Sequence, residues 1–564
     1  MSQEPVGPKF SLSKWVIALL VGIPVAAGAF YLLRKPKNQA LPDQNGICKA
    51  DKKNAPAKTI EPTPEKQEVP VEESPLDRAL KLKNAGNAFY KKGEYKEAIR
   101  CYTEAISVCP EGEKEHMATL FQNRAAAHEL LNDYESVLKD CGSAILLKPD
   151  YVKALTRRYK AAERVGHMRQ ALEDVTAVCL LEKFSNMDTL SAADRILKVI
   201  GKVEAEEYMK KRSSVLPSEY FMKQYFASFT QDPVVKDLSK VASAELVLLR
   251  GIEKARRALY DERYADIIPA CNEEISKPSS NEAKEHALLL KASMNILSSQ
   301  TADAMADLTY LINTSNDHKI KINALLKRAC IYMQSDDERA SEDFSEAANL
   351  DPNNPDVPHQ RAQMFLLGER LENAVSEFHK AAELNPNSGL VQVQKLYAEY
   401  RYGTTQQDAR MVAKAKAGLH EAINKYPNTP EGYMLLAQVY NDSQEYDKAE
   451  ATFDAGIKAD PKNASILVHK GLLYLQWNGE MDKAITMMEK GIAVDPKCEF
   501  AYETLASIEV QRGNLTRAVA LFDKALPLAK SEREASHILS LRAAAQAQIV
   551  VAKTLGLDSI LPSA

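Results

Sequence analysis

The sequence lacks the motifs and the composition of an enzyme or of a nucleic-acid-binding protein. None of the patterns G-x-x-x-x-G-K-[ST], G-x-S-x-G, H-E-x-x-H or G-x-G-x-x-G occurs, and the 10 His residues are dispersed along the chain. The formal net charge of −4 provides no basic surface of the kind that binds nucleic acids. We therefore predict that the chain is not an enzyme, holds no cofactor or metal ion, and binds no nucleic acid.

The eight cysteines form neither a disulfide framework nor a zinc motif. No C-x-x-C pair occurs among them, and no His stands at zinc-finger spacing from any of them. Cys101, Cys141 and Cys271 fall at repeat positions that are reserved for a buried side chain, where a reduced thiol packs as a small hydrophobic group. This usage predicts a chain that folds in a reducing compartment.

One uncharged stretch, from Trp15 to Leu33, is long enough to cross a membrane. At about 1.5 Å per residue, a helix of this length just spans a hydrocarbon core of roughly 30 Å. Arg34 and Lys35 follow it at once, so the positive excess predicts that its carboxyl side stays in the cytosol. A short anchor with basic flanks is typical of the mitochondrial outer membrane, although the endoplasmic reticulum uses similar anchors. In the outer membrane, residues 1–14 would form a short tail in the intermembrane space.

A cleaved secretory signal is the alternative interpretation of this stretch, because Ala27-Gly28-Ala29 resembles a small-residue cleavage site. The basic cluster directly after the stretch and the unpaired cysteines argue against that alternative. Glycans would overturn the cytosolic orientation if they were found on the N-x-[ST] acceptors, which are Asn313, Asn441, Asn463 and Asn514.

Residues 34–75 are rich in Pro, Lys and Glu and nearly free of aromatic residues. Such a segment cannot bury enough apolar surface to offset its ordering entropy. We predict that it is a disordered cytosolic tether, which holds the folded part of the chain away from the bilayer.

From residue 76 onward the sequence pattern predicts pairs of short amphipathic helices. In the first pair, Gly86 lines one helix, and Ala98, Tyr102 and Ala105 line the other. Small residues let two helices cross closely while aromatic residues fill the remaining space, which is the tetratricopeptide pattern. A small residue near the end of each second helix marks the repeats, at Ala105, Ala144, Val178, Ala347, Ala381, Ala422, Gly456, Gly491 and Ala525. The sequence predicts an all-α fold, a tetratricopeptide-repeat superhelical solenoid.

The repeats fall into two blocks. Three repeats occupy residues 76–181, and about eight occupy residues 244–530, with degenerate units near the start of that range. Residues 182–243 break the period and are predicted to form a helical connector between the blocks. Residues 531–564 begin with an Ala-rich amphipathic segment, which we predict to be a capping helix.

Five polar residues stand at matching positions of the first block. Lys83 and Asn87 are four residues apart on one first helix, and Asn123 lies on the next. Lys153 and Arg157 are again four residues apart, on the third first helix. First helices of successive repeats line the concave groove of such a solenoid. We therefore expect the five side chains to converge in that groove, with no carboxylate among them.

Two ammonium groups, one guanidinium group and two amides suit a ligand that carries two carboxylates at a chain end. Lys supplies point charge, Arg grips a carboxylate through its planar fork, and Asn amides bond the main chain of an extended peptide. Charged residues usually only solvate a helical face, but five residues at matching repeat positions favour a binding site. Arg124 and Arg158 neighbour the set in sequence and point elsewhere by helical angle, so they are left out.

The K-x-x-x-N, N-R-x-A-A and K-x-x-x-R residues resemble the dicarboxylate clamp of chaperone-binding tetratricopeptide domains. The resemblance implies that the cytosolic heat-shock chaperones of seventy and ninety kilodaltons bind here through their Glu-Glu-Val-Asp tails. The order of anchor, tether, clamp repeats, connector and further repeats resembles the seventy-kilodalton import receptors of the mitochondrial outer-membrane translocase. The stretches from Leu467 to Trp477 and from Phe500 to Asn514 look like the carboxy-terminal repeats of those receptors.

This resemblance implies that chaperones deliver hydrophobic precursors with internal targeting signals. The clamp would dock the chaperone, and the second block would bind the precursor and pass it to other translocase subunits. No short motif marks the precursor contacts. First-helix faces around residues 432–440 and 468–475 are candidates, although such apolar residues more often belong to a helix-packing core. The alternative is a tetratricopeptide co-chaperone or translocation accessory that is anchored at the endoplasmic reticulum.

Overall fold

The computed structural model describes residues 74–556, with the exception of residues 214, 237, 242–248 and 336–337. These described residues form 25 α-helices and three short 3₁₀-helices, and they contain no β-strand. The prediction of an all-α tetratricopeptide fold is confirmed. The predicted tail (1–14), the predicted anchor (15–33) and nearly all of the predicted tether (34–75) lie outside the described residues. Within the described ranges, no helix combines the length and the apolar character that crossing a membrane requires.

The described residues belong to two compact units, the first ending at residue 193 and the second beginning at residue 194. The first unit contains three helix pairs, in the range where the sequence places the three clamp repeats. These pairs are α1 (Pro75–Lys92) with α2 (Tyr95–Val108), α3 (Lys114–Leu130) with α4 (Tyr134–Leu147), and α5 (Val152–Val165) with α6 (Met168–Leu181).

The second unit begins within the long helix α7 (Met187–Lys211), which is followed by α8 (Glu219–Ala227). Eight helix pairs come next in the chain. They are α9 (Gly251–Tyr260) and α10 (Ile267–Ser276), α11 (Asn281–Leu297) and α12 (Thr301–Thr314), α13 (His318–Ser335) and α14 (Arg339–Leu350), α15 (Asp356–Leu367) and α16 (Leu371–Leu384), α17 (Gly389–Thr405) and α18 (Ala409–Lys425), α19 (Pro430–Asp442) and α20 (Tyr446–Ala459), α21 (Ala464–Asn478) and α22 (Met481–Val494), and α23 (Glu499–Gln511) and α24 (Leu515–Ala525). A single helix, α25 (Glu532–Thr554), follows the last pair.

Helix α1 begins at a capped N-terminus. The Ser74 side chain accepts a hydrogen bond from the backbone N–H of Asp77 at 3.2 Å, and Pro75 occupies the first turn, where no N–H donor is needed. The helix ends at Gly93, whose φ of 84° is a left-handed conformation that glycine adopts without strain. Helix α1 therefore begins at Pro75, the last residue that the sequence assigns to the tether.

Small residues bring the two helices of a pair together, as the repeat pattern predicts. A methyl group added at Gly86 of α1 would lie only 2.6 Å from Cε1 of Tyr102 in α2, so the Tyr102 ring fills the space that a side chain at Gly86 would need. The small residues that mark the ends of second helices are all buried: Ala105, Ala144, Val178, Ala347, Ala381, Ala422, Gly456, Gly491 and Ala525. Packing at these crossings forms the core of each pair.

A second contact recurs in several pairs, where an arginine of the first helix binds a carboxylate of the second helix. The carboxylates are almost fully buried, and the nitrogen-to-oxygen distances are 2.6–2.7 Å, in Arg124–Asp140, Arg158–Asp174, Arg328–Asp343 and Arg361–Glu377. A carboxylate that has lost its water needs such a partner, because an unpaired buried charge is strongly destabilising. These arginines therefore have a structural role, as counter-ions of buried carboxylates.

The segment after α8 is held in the second unit by a buried ion pair. Lys327 of α13 is 0% exposed and Asp232 is 2% exposed, and Nζ lies 2.7 Å from Oδ2. The Lys327 ammonium also lies 4.0 Å from the centre of the Phe229 ring. Nearby, the Thr230 hydroxyl donates to Oδ1 of Asp356 in α15 at 2.6 Å. Polar contacts with first helices therefore fix this part of the predicted connector.

Three cysteines were expected at buried repeat positions, and the structure corrects one of them. Cys141 and Cys271 are completely buried, and burial raises the pKa of both thiols to about 12. Cys101, on α2, is only partly buried. The seven cysteines in the described part of the chain are all free thiols.

We predict that Lys327→Met destabilises the chain by about 3–5 kcal/mol, because it leaves the Asp232 carboxylate buried without its counter-ion. The double variant Lys327→Met/Asp232→Asn should recover part of the lost stability, because it no longer contains the uncompensated buried charge. The exposed Lys319, on the same helix, serves as the matched control, and Lys319→Met should change stability by less than about 0.5 kcal/mol. Chemical denaturation followed by circular dichroism measures all three, and equal stability of Lys327→Met and wild type would contradict the prediction.

We also predict a pH-dependent stability that comes from His469. The residue is buried in α21 beside the Phe500 ring, Nε2 has no hydrogen-bond partner among the described residues, and burial lowers the pKa of the imidazole to about 4. The unfolded chain binds a proton near pH 6.5, so stability falls as the pH drops from 6.5 towards 4, by about 3 kcal/mol.

Replacing His469 by Leu should abolish this contribution, so the stability difference between variant and wild type should change with pH over that window. The exposed His318 provides the control, His318→Leu, which should leave the pH profile unchanged. Denaturation at pH 7 and pH 4.5 tests the prediction, and parallel profiles for wild type and His469→Leu would contradict it.

Candidate functional site

The five residues of the expected clamp lie on the first helices of the three pairs in the first unit. Lys83 and Asn87 are on α1, Asn123 is on α3, and Lys153 and Arg157 are on α5. Helix α1 contacts α3, and α3 contacts α5, so the first helices are direct neighbours. This arrangement provides the continuous surface on which residues from three repeats can act together.

The two amides of the set are in direct contact. Nδ2 of Asn123 donates a hydrogen bond to Oδ1 of Asn87 at 3.2 Å, and the Tyr102 hydroxyl donates to the same oxygen at 2.8 Å. Tyr102 is buried, and burial raises its pKa to about 12, so the phenol remains a protonated donor. The sequence identifies Tyr102 only as a core residue. Its second role, which is to hold the Asn87 side chain, depends on a contact between helices that periodicity does not reveal.

Arg157 has a carboxylate partner, which corrects the expectation that no carboxylate interrupts the set. Nε of Arg157 donates to Oε2 of Glu129 at 2.6 Å. Glu129 lies on α3, six residues after Asn123, and six residues do not place two side chains on one helical face. Spacing along a single helix therefore misses this contact, which crosses from α3 to α5.

The two lysines contribute charge that no carboxylate of the described residues neutralises. Lys153 is exposed and Lys83 is partly buried, and neither forms a hydrogen bond or an ion pair with any residue that the structure describes. Three cations and one carboxylate leave the set with a net positive charge. An ammonium group without a fixed partner can move to meet a ligand carboxylate at little cost.

Arg124 and Arg158 are held away from the set, as their helical angles predict. Each forms a bidentate pair with an aspartate of its own helix pair, Arg124 with Asp140 at 2.8 and 2.7 Å and Arg158 with Asp174 at 2.8 and 2.6 Å. Their guanidinium groups therefore stabilise the fold, whereas Arg157 bonds to a glutamate through Nε alone.

In the second unit, two neighbouring cavities with a mixed polar and apolar lining lie beside α8. The larger, of about 330 Å³, is lined in part by Asp356, Glu431 and Asp460, and the smaller, of about 120 Å³, also includes Glu431. The Tyr220 hydroxyl donates to Oδ2 of Asp460 at 2.8 Å, and Gln224 of α8 borders both cavities. Burial raises the pKa of Glu431, so this carboxyl holds its proton more readily than an exposed one.

The apolar residues of the two first-helix stretches that the sequence singles out are mainly core. Residues 434–437 and Val439 are buried, as are Val468 and Leu473. They pack mainly between helices, and Met434 also lines the smaller cavity beside α8. Among the described residues, no group of three or more His, Cys, Asp and Glu side chains is arranged to hold a metal ion.

Three segments match models of the tetratricopeptide repeat, at residues 79–111, 407–468 and 470–533. The sequence is 41% identical to the mitochondrial import receptor subunit TOM70 of Homo sapiens, over 97% of this chain and 93% of the human protein. The TOM70 of Rattus norvegicus is equally similar, with 41% identity over the same shares of the two chains.

The fold search matches the crystal structure of yeast Tom70 with a TM-score of 0.46 and 23% identity, over 85% of this chain and 99% of that chain. An import receptor is a binding protein, so the predicted absence of enzymatic activity agrees with the names of the relatives. These names favour a mitochondrial protein over one of the endoplasmic reticulum. By its identity to the human and rat proteins over nearly its whole length, this chain belongs to the family of mitochondrial import receptor subunits TOM70.

Proposed function

We propose that this chain is a single-pass receptor of the mitochondrial outer membrane that docks cytosolic heat-shock chaperones of seventy and ninety kilodaltons. In this proposal the first block binds the acidic C-terminal tail of the chaperone. The second block receives the hydrophobic precursor and passes it to other subunits of the translocase. Family membership supports the receptor role, and the uncharged stretch at residues 15–33 with its basic carboxyl flank supports an anchor that leaves the repeats in the cytosol.

The observation that carries the proposal for the first block is the joint placement of the five residues on contacting first helices. The hydrogen bond between Asn123 and Asn87 joins two repeats, and the Tyr102 hydroxyl fixes the shared amide oxygen. The ordered amides suit the main chain of an extended peptide, because one Asn side chain can donate and accept at the same time. Their fixed positions reduce the ordering cost when a peptide binds.

The charges of the set suit a ligand end with two carboxylates. Lys83 and Lys153 supply positive charge that no carboxylate of the described chain offsets, and Arg157 supplies a planar group with further N–H donors. A chain that ends in Asp presents two carboxylates close together, one from the side chain and one from the terminus. A Glu-Glu-Val-Asp tail therefore matches the set in charge.

The two cavities beside α8 support the second block as the place of precursor binding. They combine carboxyl groups with polar side chains and border on the buried apolar residues of α19. Such a mixed surface can hold an apolar segment and orient it through a few polar contacts. The first and second blocks would then bind chaperone and precursor at separate sites.

We predict that a peptide ending in Glu-Glu-Val-Asp binds the wild-type chain at micromolar strength, near −8 kcal/mol. Arg157→Ala should weaken binding by about 2–5 kcal/mol, because a ligand carboxylate in the groove loses its partner. Arg100, which is 73% exposed on the second helix α2, provides the matched control, and Arg100→Ala removes the same charge at little cost. Isothermal titration calorimetry measures the affinity of the peptide for the three chains. Equal affinity of Arg157→Ala and wild type would contradict the assignment of these residues as a clamp.

We further predict that Arg157→Ala leaves the binding of an isolated precursor unchanged, because the precursor site lies in the other block. The measurement is a pull-down of a hydrophobic carrier precursor, made without chaperones, by the wild-type and Arg157→Ala chains side by side. The same variant should lose the chaperone in a parallel pull-down from cytosol. Simultaneous loss of both partners would contradict two separable sites.

A further inference from the structure

The guanidinium group of Arg157 is held from one side by Glu129. Nε donates to Oε2 of Glu129 at 2.6 Å, and the side chains are 20% and 36% exposed, respectively. Glu129 belongs to α3 and Arg157 to α5, so the contact joins the second and third repeats of the first unit. An isolated arginine side chain has many rotamers, and a bond at this nitrogen restricts them.

The other N–H donors of the same guanidinium group are not used by any partner among the described residues. Nη1 is shielded from solvent and has no hydrogen-bond partner among the described residues. The guanidinium group carries five N–H donors in a planar fork, of which the bond to Glu129 uses the one at Nε. A carboxylate at the terminal edge of a guanidinium group forms two parallel hydrogen bonds, and here a ligand would reach Nη1 once the side chains that shield it move aside. The bond to Glu129 can therefore persist while a ligand is bound.

The charge of Glu129 acts in the opposite direction. A carboxylate that is bonded to Arg157 lies close to any second carboxylate that binds the same guanidinium group, and two like charges at such a separation repel. The neighbouring cations Lys83 and Lys153 have no carboxylate partner among the described residues, so Glu129 is the acidic group that offsets the positive charge of the set. The two effects of Glu129, orientation and repulsion, can be separated by substitution.

We propose that Glu129 is a positioning residue that orients Arg157 for the ligand carboxylate and, through its own charge, limits the affinity for that carboxylate. The inference rests on the proposed docking of acidic tails. It identifies Glu129 as a determinant of how tightly the first block binds a doubly acidic chain end. Receptors that limit affinity in this way release their ligand faster, because differences in affinity at one interface arise mostly from the dissociation rate.

The test compares Glu129→Gln and Glu129→Ala in the full 564-residue chain, by calorimetry with a peptide that ends in Glu-Glu-Val-Asp. Glutamine keeps an acceptor for Nε and removes the charge, so Glu129→Gln should bind the peptide about threefold to tenfold more tightly than wild type. Alanine removes both, so Glu129→Ala should bind at least about threefold more weakly than Glu129→Gln. The matched control is Glu135→Gln, which removes one exposed charge from α4 and should not change the affinity.

Two further measurements respond to charge and not to structural stability. The affinity of Glu129→Gln should fall more steeply with added salt than that of wild type, since the set has gained net positive charge. An amidated peptide lacks the terminal carboxylate. For this peptide, the increase in affinity of Glu129→Gln over wild type should be smaller. Circular dichroism and thermal unfolding establish that the variants are folded.

Equal or weaker binding by Glu129→Gln than by wild type would overturn the limiting role of the charge. Equal binding by the Ala and Gln variants would overturn the positioning role. If the wild-type chain itself fails to bind the peptide, the docking of acidic tails fails as a whole. If wild type binds and the Gln variant does not differ from it, only the inference on Glu129 fails.

Discussion

The close crossing of two helices within each repeat is the constraint on which the rest of the structure depends. At Gly86 there is no room for even a methyl group, because the Tyr102 ring lies where it would be placed. Completely buried alanines, such as Ala105 and Ala144, have the same role at the ends of second helices. Because the helices of each pair pack this closely, the first helices of successive repeats become neighbours. The candidate site exists only because residues of α1, α3 and α5 share that surface.

Arginines of the first unit have two different uses, and burial of their partners distinguishes them. Asp140 and Asp174 are almost fully buried, so Arg124 and Arg158 are needed as their counter-ions and are bound bidentately. Glu129 is 36% exposed and binds Arg157 through one nitrogen only. The first kind of pair stabilises the fold of a single repeat. The second kind connects two repeats and leaves donors for a ligand.

The repeat fold was predictable because small and aromatic residues recur at a helical period. The spacing between Lys83 and Asn87, and between Lys153 and Arg157, also placed these residues on first helices correctly. The contact of Glu129 with Arg157 was not predictable, because it joins residues on different helices and no local spacing encodes it. The partial exposure of Cys101 was missed for a related reason, since the burial of a helix position depends on how the neighbouring helices pack against it.

The amino-acid sequence by itself determined the helical class, the repeat period and the residue types of the candidate clamp, since these follow from periodicity and charge along the chain. Only the tertiary structure decided which of those side chains meet. Two amides share a hydrogen bond, one arginine has a glutamate partner from the preceding repeat, and the connector is held by the buried pair of Lys327 and Asp232. The physical reason is that local spacing sets the direction of a side chain on its own helix, whereas partners on other helices are set by how the helices pack.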